Sequence, residues 1–246
     1  MAPGCSNSVK RTRANAGSRG YTLLELLVSM LILLTVTAVV FQQIDQMQKK
    51  SSSEAMKVDL SQQAREFVNQ TVRDLHMSGY PNATMYSNQS DLTKIAAGLV
   101  SVAPTQILFE GDVNNDGNVY SVNIYYVAND PNDPNCPCIR RSFVQKTSAD
   151  SLNEGVGGSY TETDHVFPPG TGAGQSGEDL FAYYDQNGNP VNVGAGIDIS
   201  TPANAATIST IKTVKINLSM LTNLRDPSTP NGFIRTSISA TSRLNQ

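Results

Sequence analysis

Three regimes of hydrophobic patterning follow one another along the chain. From Tyr21 to Phe41, "YTLLELLVSMLILLTVTAVVF", apolar residues are interrupted only by small or hydroxyl side chains and by one charge, Glu25. At about 1.5 Å per residue this run spans roughly 30 Å, the thickness of a bilayer core. It predicts a membrane-spanning helix. From Lys57 to Leu75 the pattern turns amphipathic: Leu60, Ala64, Phe67, Val68, Val72 and Leu75 recur at spacings of three and four, with polar residues between them. That spacing predicts a helix with one buried stripe. Neither Gly nor Pro occurs from Tyr21 to Ser78, so both stretches can belong to one helix, up to ~87 Å long if unbroken. "KKSSS" (49–53) is its expected weak point, because Ser favours non-helical alternatives. "SGYP" (78–81) should end it, with Gly79 as C-cap and Pro81 beyond. A coiled coil fits poorly, since heptads are not sustained through 42–56.

Beyond residue 80 the period shortens to two, and clusters of Gly, Pro, Asn and Asp punctuate it. Candidate strands are 105–111 (TQILFEG), 119–128 (VYSVNIYYVA), 138–147 (CIRRSFVQKT), 211–223 and 232–244. In 119–128, Tyr120, Val122, Ile124 and Tyr126 alternate with Val119, Ser121, Asn123 and Tyr125, as in a strand with one packed face. "DLFAYYDQNGNPV" (179–191) reads as two short strands around an Asn-Gly turn of type I′. Residues 148–178 are rich in Gly and Ser with few large apolar groups, and read as a long surface excursion. The order predicts an α+β fold, a long N-terminal helix packed on an antiparallel β-sheet meander.

Charge refines this picture. The formal net charge is -3, but Lys10, Arg11, Arg13 and Arg19 precede the apolar run with no acid among them, so the rest of the chain is acidic. A basic flank predicts a cytoplasmic N-terminus and a domain beyond the inner membrane. An acidic domain argues against nucleic acid as a partner. A secretory signal peptide would have a shorter apolar region and a small-residue cleavage site, whereas this run ends in "FQQIDQMQ". A plain single-pass anchor explains the apolar run but not Glu25. A carboxylate deep in a bilayer costs about 2.5–3.5 kcal/mol, although an acid near the cytoplasmic end can be tolerated as interfacial.

"RG-YTLLELLVSMLILL" resembles the N-terminal processing and methylation segment of type IV prepilins and type II secretion pseudopilins. The resemblance implies cleavage by a prepilin peptidase after Gly20, N-methylation of Tyr21 and an acid, Glu25, at the fifth mature position. Tyr21 stands where the family usually has Phe. The resemblance also implies a type IV pilin-like fold. In its terms residues 1–20 are the leader, 21–43 the transmembrane and filament-core helix, 44–79 its amphipathic continuation and 80–246 the globular β-rich domain. Cleavage would create an ammonium at Tyr21, and Glu25 of a neighbouring subunit could pair with it. A wrong axial register would leave both charges unpaired in low dielectric. "QQAREFVNQTVRDLHMSGYPN" further resembles PilW-type minor pilins through Asp74, Leu75, His76, Gly79 and Tyr80. The partners implied are the prepilin peptidase, other minor and major pilins, the inner-membrane assembly platform and the lipid bilayer. A J-like type II pseudopilin is the near alternative, and a membrane-anchored binding or sensor domain is the alternative of another class.

Other candidate sites are few. Asp112, Asn114, Asp116 and Gly117 have the spacing that opens a calcium loop, but position twelve is Asn123. An acid is needed there, so a standard EF-hand is excluded. A polar hairpin turn and a calcium site completed by other loops remain as readings. Cys136 and Cys138 enclose one residue, which is no zinc or thioredoxin spacing. They are either a disulfide or two loop thiols. His76 falls at the helix C-terminus, where it suits the last carbonyls, and His165 falls in a loop. No G-x-S-x-G, Walker A or H-E-x-x-H motif occurs, so no enzyme and no cofactor beyond that calcium are expected.

Overall fold

The computed structural model describes residues 21–85, 91–154, 157–222, 225–226 and 232–244. The leader expected over 1–20, with Gly20, lies outside them. The chain forms two units, Met1–Gln48 and Lys49–Gln246. Helix α1 (Leu23–His76) contributes to both. It is continuous through 49–53, contrary to the expected weak point. Ser53 is buried there, and tertiary packing overrides the modest helix propensity of serine.

In the second unit the predicted stripe is the buried face of α1. Leu60, Ala64, Phe67, Val68 and Leu75 are all buried, and Val72 packs partly against the same core. The helix closes with tight turns, the N–H groups of Met77 and Ser78 donating to Asp74 O (3.0 Å) and Leu75 O (3.1 Å). Gly79 follows at φ 79°, the left-handed geometry that glycine accepts at a helix end. The chain then runs along a strand end: Gly79 N–H donates to Glu110 O (2.9 Å), and Asp112 N–H to Tyr80 O (2.8 Å). Gly111 permits this approach, because a Cβ there would lie 2.3 Å from Met77 O.

The strands are β1 (Leu99–Ala103), β2 (Gln106–Gly111), β3 (Tyr120–Val127), β4 (Cys138–Gln145), β5 (Ser159–Thr163), β6 (Phe181–Tyr184), β7 (Ile197–Asp198), β8 (Thr213–Leu221) and β9 (Arg235–Arg243). They make two antiparallel sheets, not one meander: β5-β4-β3-β2-β1-β7 and β6-β8-β9. Both present apolar faces to the core, with Ile107, Phe109, Val122, Ile124 and Ile139 from the first and Phe181, Val214, Ile216 and Leu218 from the second. Buried Tyr183 ties the sheets together, its hydroxyl donating to Ala103 O (2.9 Å) or Gln106 O (3.2 Å) at the β1–β2 turn. The C-terminal half of α1 packed on these sheets is an α+β, type IV pilin-like arrangement.

Three further expectations are corrected. Residues 148–178 are no plain excursion, since β5 lies within them and Val166 is buried opposite Met220. The 179–191 stretch holds one strand, β6, joined to Pro190 by a single bridge at Tyr184. Its turn is closed by Gly188 N–H to Asp185 O (3.2 Å) and Asp185 N–H to Asn189 O (2.9 Å). Only Gly188 takes positive φ, at 81°, so this is a type I turn with a left-handed glycine, not type I′. The Asp185 carboxylate fixes it by accepting the Asn187 and Asn189 N–H groups, both at 2.8 Å. A second helix, α2 (Pro202–Thr210), was not anticipated. Thr201 caps it and Pro202 opens it, as a threonine-proline pair favours.

Candidate assembly site

Helix α1 starts on a complete N-cap. The Thr22 carbonyl accepts Leu26 N–H at 3.2 Å, and its hydroxyl accepts Glu25 N–H at 3.3 Å. Thr22 is therefore the cap and Glu25 the third helical residue, the T-x-x-E sequence of a capping box. Thr22 and Glu25 carry this signal in the sequence itself. A carboxylate in the first turn is favoured by the helix dipole, which gives Glu25 a local role beside any intermolecular one. The other polar groups of the run are quenched within the helix. Ser29, Thr35 and Thr37 hydroxyls donate to Leu26 O, Ile32 O and Leu33 O at 2.9, 2.8 and 2.6 Å. In an apolar medium such self-satisfaction is required, and Glu25 remains the one charge.

Every residue from Tyr21 to Lys50 is exposed. The apolar part of α1 is unburied and is long and apolar enough to cross a membrane by length and composition. Leu24, Leu31, Leu34 and Phe41 are each more than three-fifths exposed. A continuous apolar surface of this kind marks a lipid or protein contact.

The remaining sequence candidates belong to the Lys49–Gln246 unit. Asp112 Oδ1 and Oδ2 accept the N–H groups of Asp116 (3.0 Å) and Gly117 (2.9 Å). Asp116 accepts Asn118 N–H (2.8 Å) and the Tyr120 hydroxyl (2.7 Å). The hydroxyl bond, with Asn118 N–H second, holds the Asp116 carboxyl below its usual range. Asn114 is exposed at the turn tip. All four carboxylate oxygens thus close the hairpin turn itself. Cys136 and Cys138 form a disulfide with Cα atoms 4.3 Å apart. Asp133 lies beside them, but bonded sulfurs offer no thiolate to a metal. His76 lies in the last turn of α1. His165 Nδ1 is 3.1 Å from Asp164 Oδ1, in a left-handed conformation at φ 53°.

Two buried ion pairs went unread in the sequence, because their partners are distant in the chain. Arg141 on β4 donates to Asp74 on α1, fastening helix to sheet. Burial nonetheless pushes the Asp74 carboxyl up, outweighing Arg141 and Arg73. Lys146 donates to Glu110 Oε2 (2.7 Å), Ile95 O (3.1 Å) and Ser151 Oγ (3.2 Å). The same Oε2 accepts Ala97 N–H at 2.8 Å. This cluster ties the 95–97 and 146–151 loops to β2.

Among proteins of known families, the model for the prokaryotic N-terminal methylation motif matches residues 15–41. No curated protein and no solved structure matches the chain. The matched stretch contains the capped start of α1 and its exposed apolar run, and it supports a type IV pilin or pseudopilin-type function, that of a structural subunit anchored through its N-terminal helix.

Proposed function

We propose that the protein is a minor pilin of the PilW type, a subunit that takes part in type IV pilus assembly. It is inserted in the inner membrane with its N-terminus cytoplasmic, cleaved after Gly20 by the prepilin peptidase and N-methylated at Tyr21. The assembly platform then draws it into a pilus with other minor and major pilins. The methylation-motif match over the exposed apolar run supports the pilin part of this reading, and the resemblance at Asp74, Leu75, His76, Gly79 and Tyr80 favours the PilW type. Glu25 sits in the first helical turn, four residues from the amine that cleavage would create at Tyr21. In a bundle of such helices that amine needs an anion, and Glu25 of a neighbour supplies it, so the pair checks axial register. The test is incorporation of Glu25→Ala and Glu25→Gln into sheared filaments. Both should fall about tenfold or more, with membrane levels of the subunit unchanged, as befits about 1.4 kcal/mol or more of lost pairing. Unchanged incorporation would remove the pairing role. Copurification with a type II secretion apparatus instead of pili would assign the chain to the pseudopilins.

A further inference from the structure

Strand β5 is the edge of the six-stranded sheet, and among the described residues no strand pairs with its far side. Such an edge presents a row of unpaired N–H and C=O groups, a template for another chain. It opens onto a groove of about 380 Å³ whose opposite wall is α1, lined from the helix by Gln63, Glu66 and Gln70, from the strand by Glu162 and from the residue just after it by Asp164. A second hollow, of about 130 Å³, shares Gln63 and Asp164 with the first and adds Asp59 and His165. The whole groove lies in the Lys49–Gln246 unit.

Its lining charge is one-sided. Asp59, Glu66, Glu162 and Asp164 contribute four carboxylates, and the one basic group, His165, faces Asp164 at 3.1 Å. Glu162 Oε2 is buried with no hydrogen-bond partner, a state native proteins seldom leave unexplained. Burial raises the Glu162 carboxyl, with Asp74 and Glu66 adding to the rise and Arg141 and Tyr160 opposing it. A strand edge beside a helix is the geometry in which extended peptides add to a sheet, the main chain giving affinity and the lining giving selectivity.

We propose that this groove binds an extended, lysine- or arginine-bearing segment of another protein, which adds to β5 as a further strand with its cations among Glu66, Glu162 and Asp164. A strand at the usual spacing of about 4.8 Å from β5 would lie between sheet and helix. Its alternate side chains would point at the carboxylates. A second copy of this chain is a poor occupant, since beyond residue 20 its charge is predominantly acidic. The binding owes nothing to the apolar segment and stands whether or not the chain enters a filament.

The test uses the full chain in neutral maltoside micelles and a blocked octapeptide of alternating Lys and Thr. Comparators are its Glu-Thr counterpart, two forms N-methylated on alternate residues so that one or the other edge lacks N–H groups, and spermine. The Lys-Thr peptide should bind at least about tenfold more tightly than the Glu-Thr peptide, spermine and at least one N-methylated form. It should also slow amide exchange at Ser159–Thr163. The double variant Glu66→Gln/Glu162→Gln should weaken it at least about tenfold while still melting in a single cooperative transition. Equal binding of both N-methylated forms or of spermine, protection at β9 in place of β5, or no binding at all would overturn the proposal. If the double variant misfolds, the contrast between normal and N-methylated peptides on the unaltered protein still decides.

Discussion

Replacing Lys146 with Met removes an ammonium while keeping most of the stem. Lys146 is 6% exposed and Glu110 is 0% exposed. Their atoms stand 2.7 Å apart. At an effective dielectric near 20 that separation corresponds to roughly 6 kcal/mol of attraction, most of it offset by the desolvation of both ions. Taking one partner away leaves the other buried and uncompensated, at a cost of about 3–5 kcal/mol. Glu110 would keep only the Ala97 N–H, at 2.8 Å. Lys146→Met should therefore lose about 3–5 kcal/mol. Lys146→Met/Glu110→Gln should recover part of the loss. Urea titration in maltoside micelles, read by near-UV circular dichroism of the nine tyrosines, measures both. A loss under about 1 kcal/mol would refute the reasoning.

Other outcomes follow from the same structure. Phe67→Ala should cost about 3–5 kcal/mol, because Phe67 is 3% exposed between α1 and the sheets, and the same urea titration checks it. The raised Glu162 carboxyl lends stability present below the unfolded value and lost as pH rises through the folded one. The melting temperature of the wild type minus that of Glu162→Gln should thus increase as pH falls from 7 toward 4.5, and a flat difference would contradict it. Since Asp112 and Asp116 already accept four hydrogen bonds from their own turn, millimolar calcium and chelator should give the same melting temperature. A rise of several degrees in calcium would place a cation at Asp112, Asn114 and Asp116.

The long helix was legible because nothing in Tyr21 to Ser78 can break it and its apolar stripe keeps period 3.6 through Leu60–Leu75. Strands β2, β3, β4, β8 and β9 were legible because turn clusters bound their alternating residues. Strand β5 was not. Its sequence "SYTET" buries only Thr163, and it exists through its ladder to β4. Strand β1 is five residues between Gly98 and Pro104, too short to show a period. Helix α2 is built of Ala, Thr, Ser and Asn with one buried residue, Ile208, so no stripe announced it, although Thr201-Pro202 did. The division into two sheets depends on contacts such as Tyr183 with the β1–β2 turn, 77 and 80 residues away. Distance in sequence also hid the Glu110–Lys146 pair. At the assembly site Glu25 stood out as a lone charge in an apolar run, whereas the capping role of Thr22 is a matter of local geometry.

Mass spectrometry of the N-terminus of the mature protein extracted from membranes tests processing at residues 20 and 21 most directly. The mature chain should begin at Tyr21 and carry one added methyl group on its terminal nitrogen. A chain retaining residues 1–20, or one starting at any other residue, would contradict it.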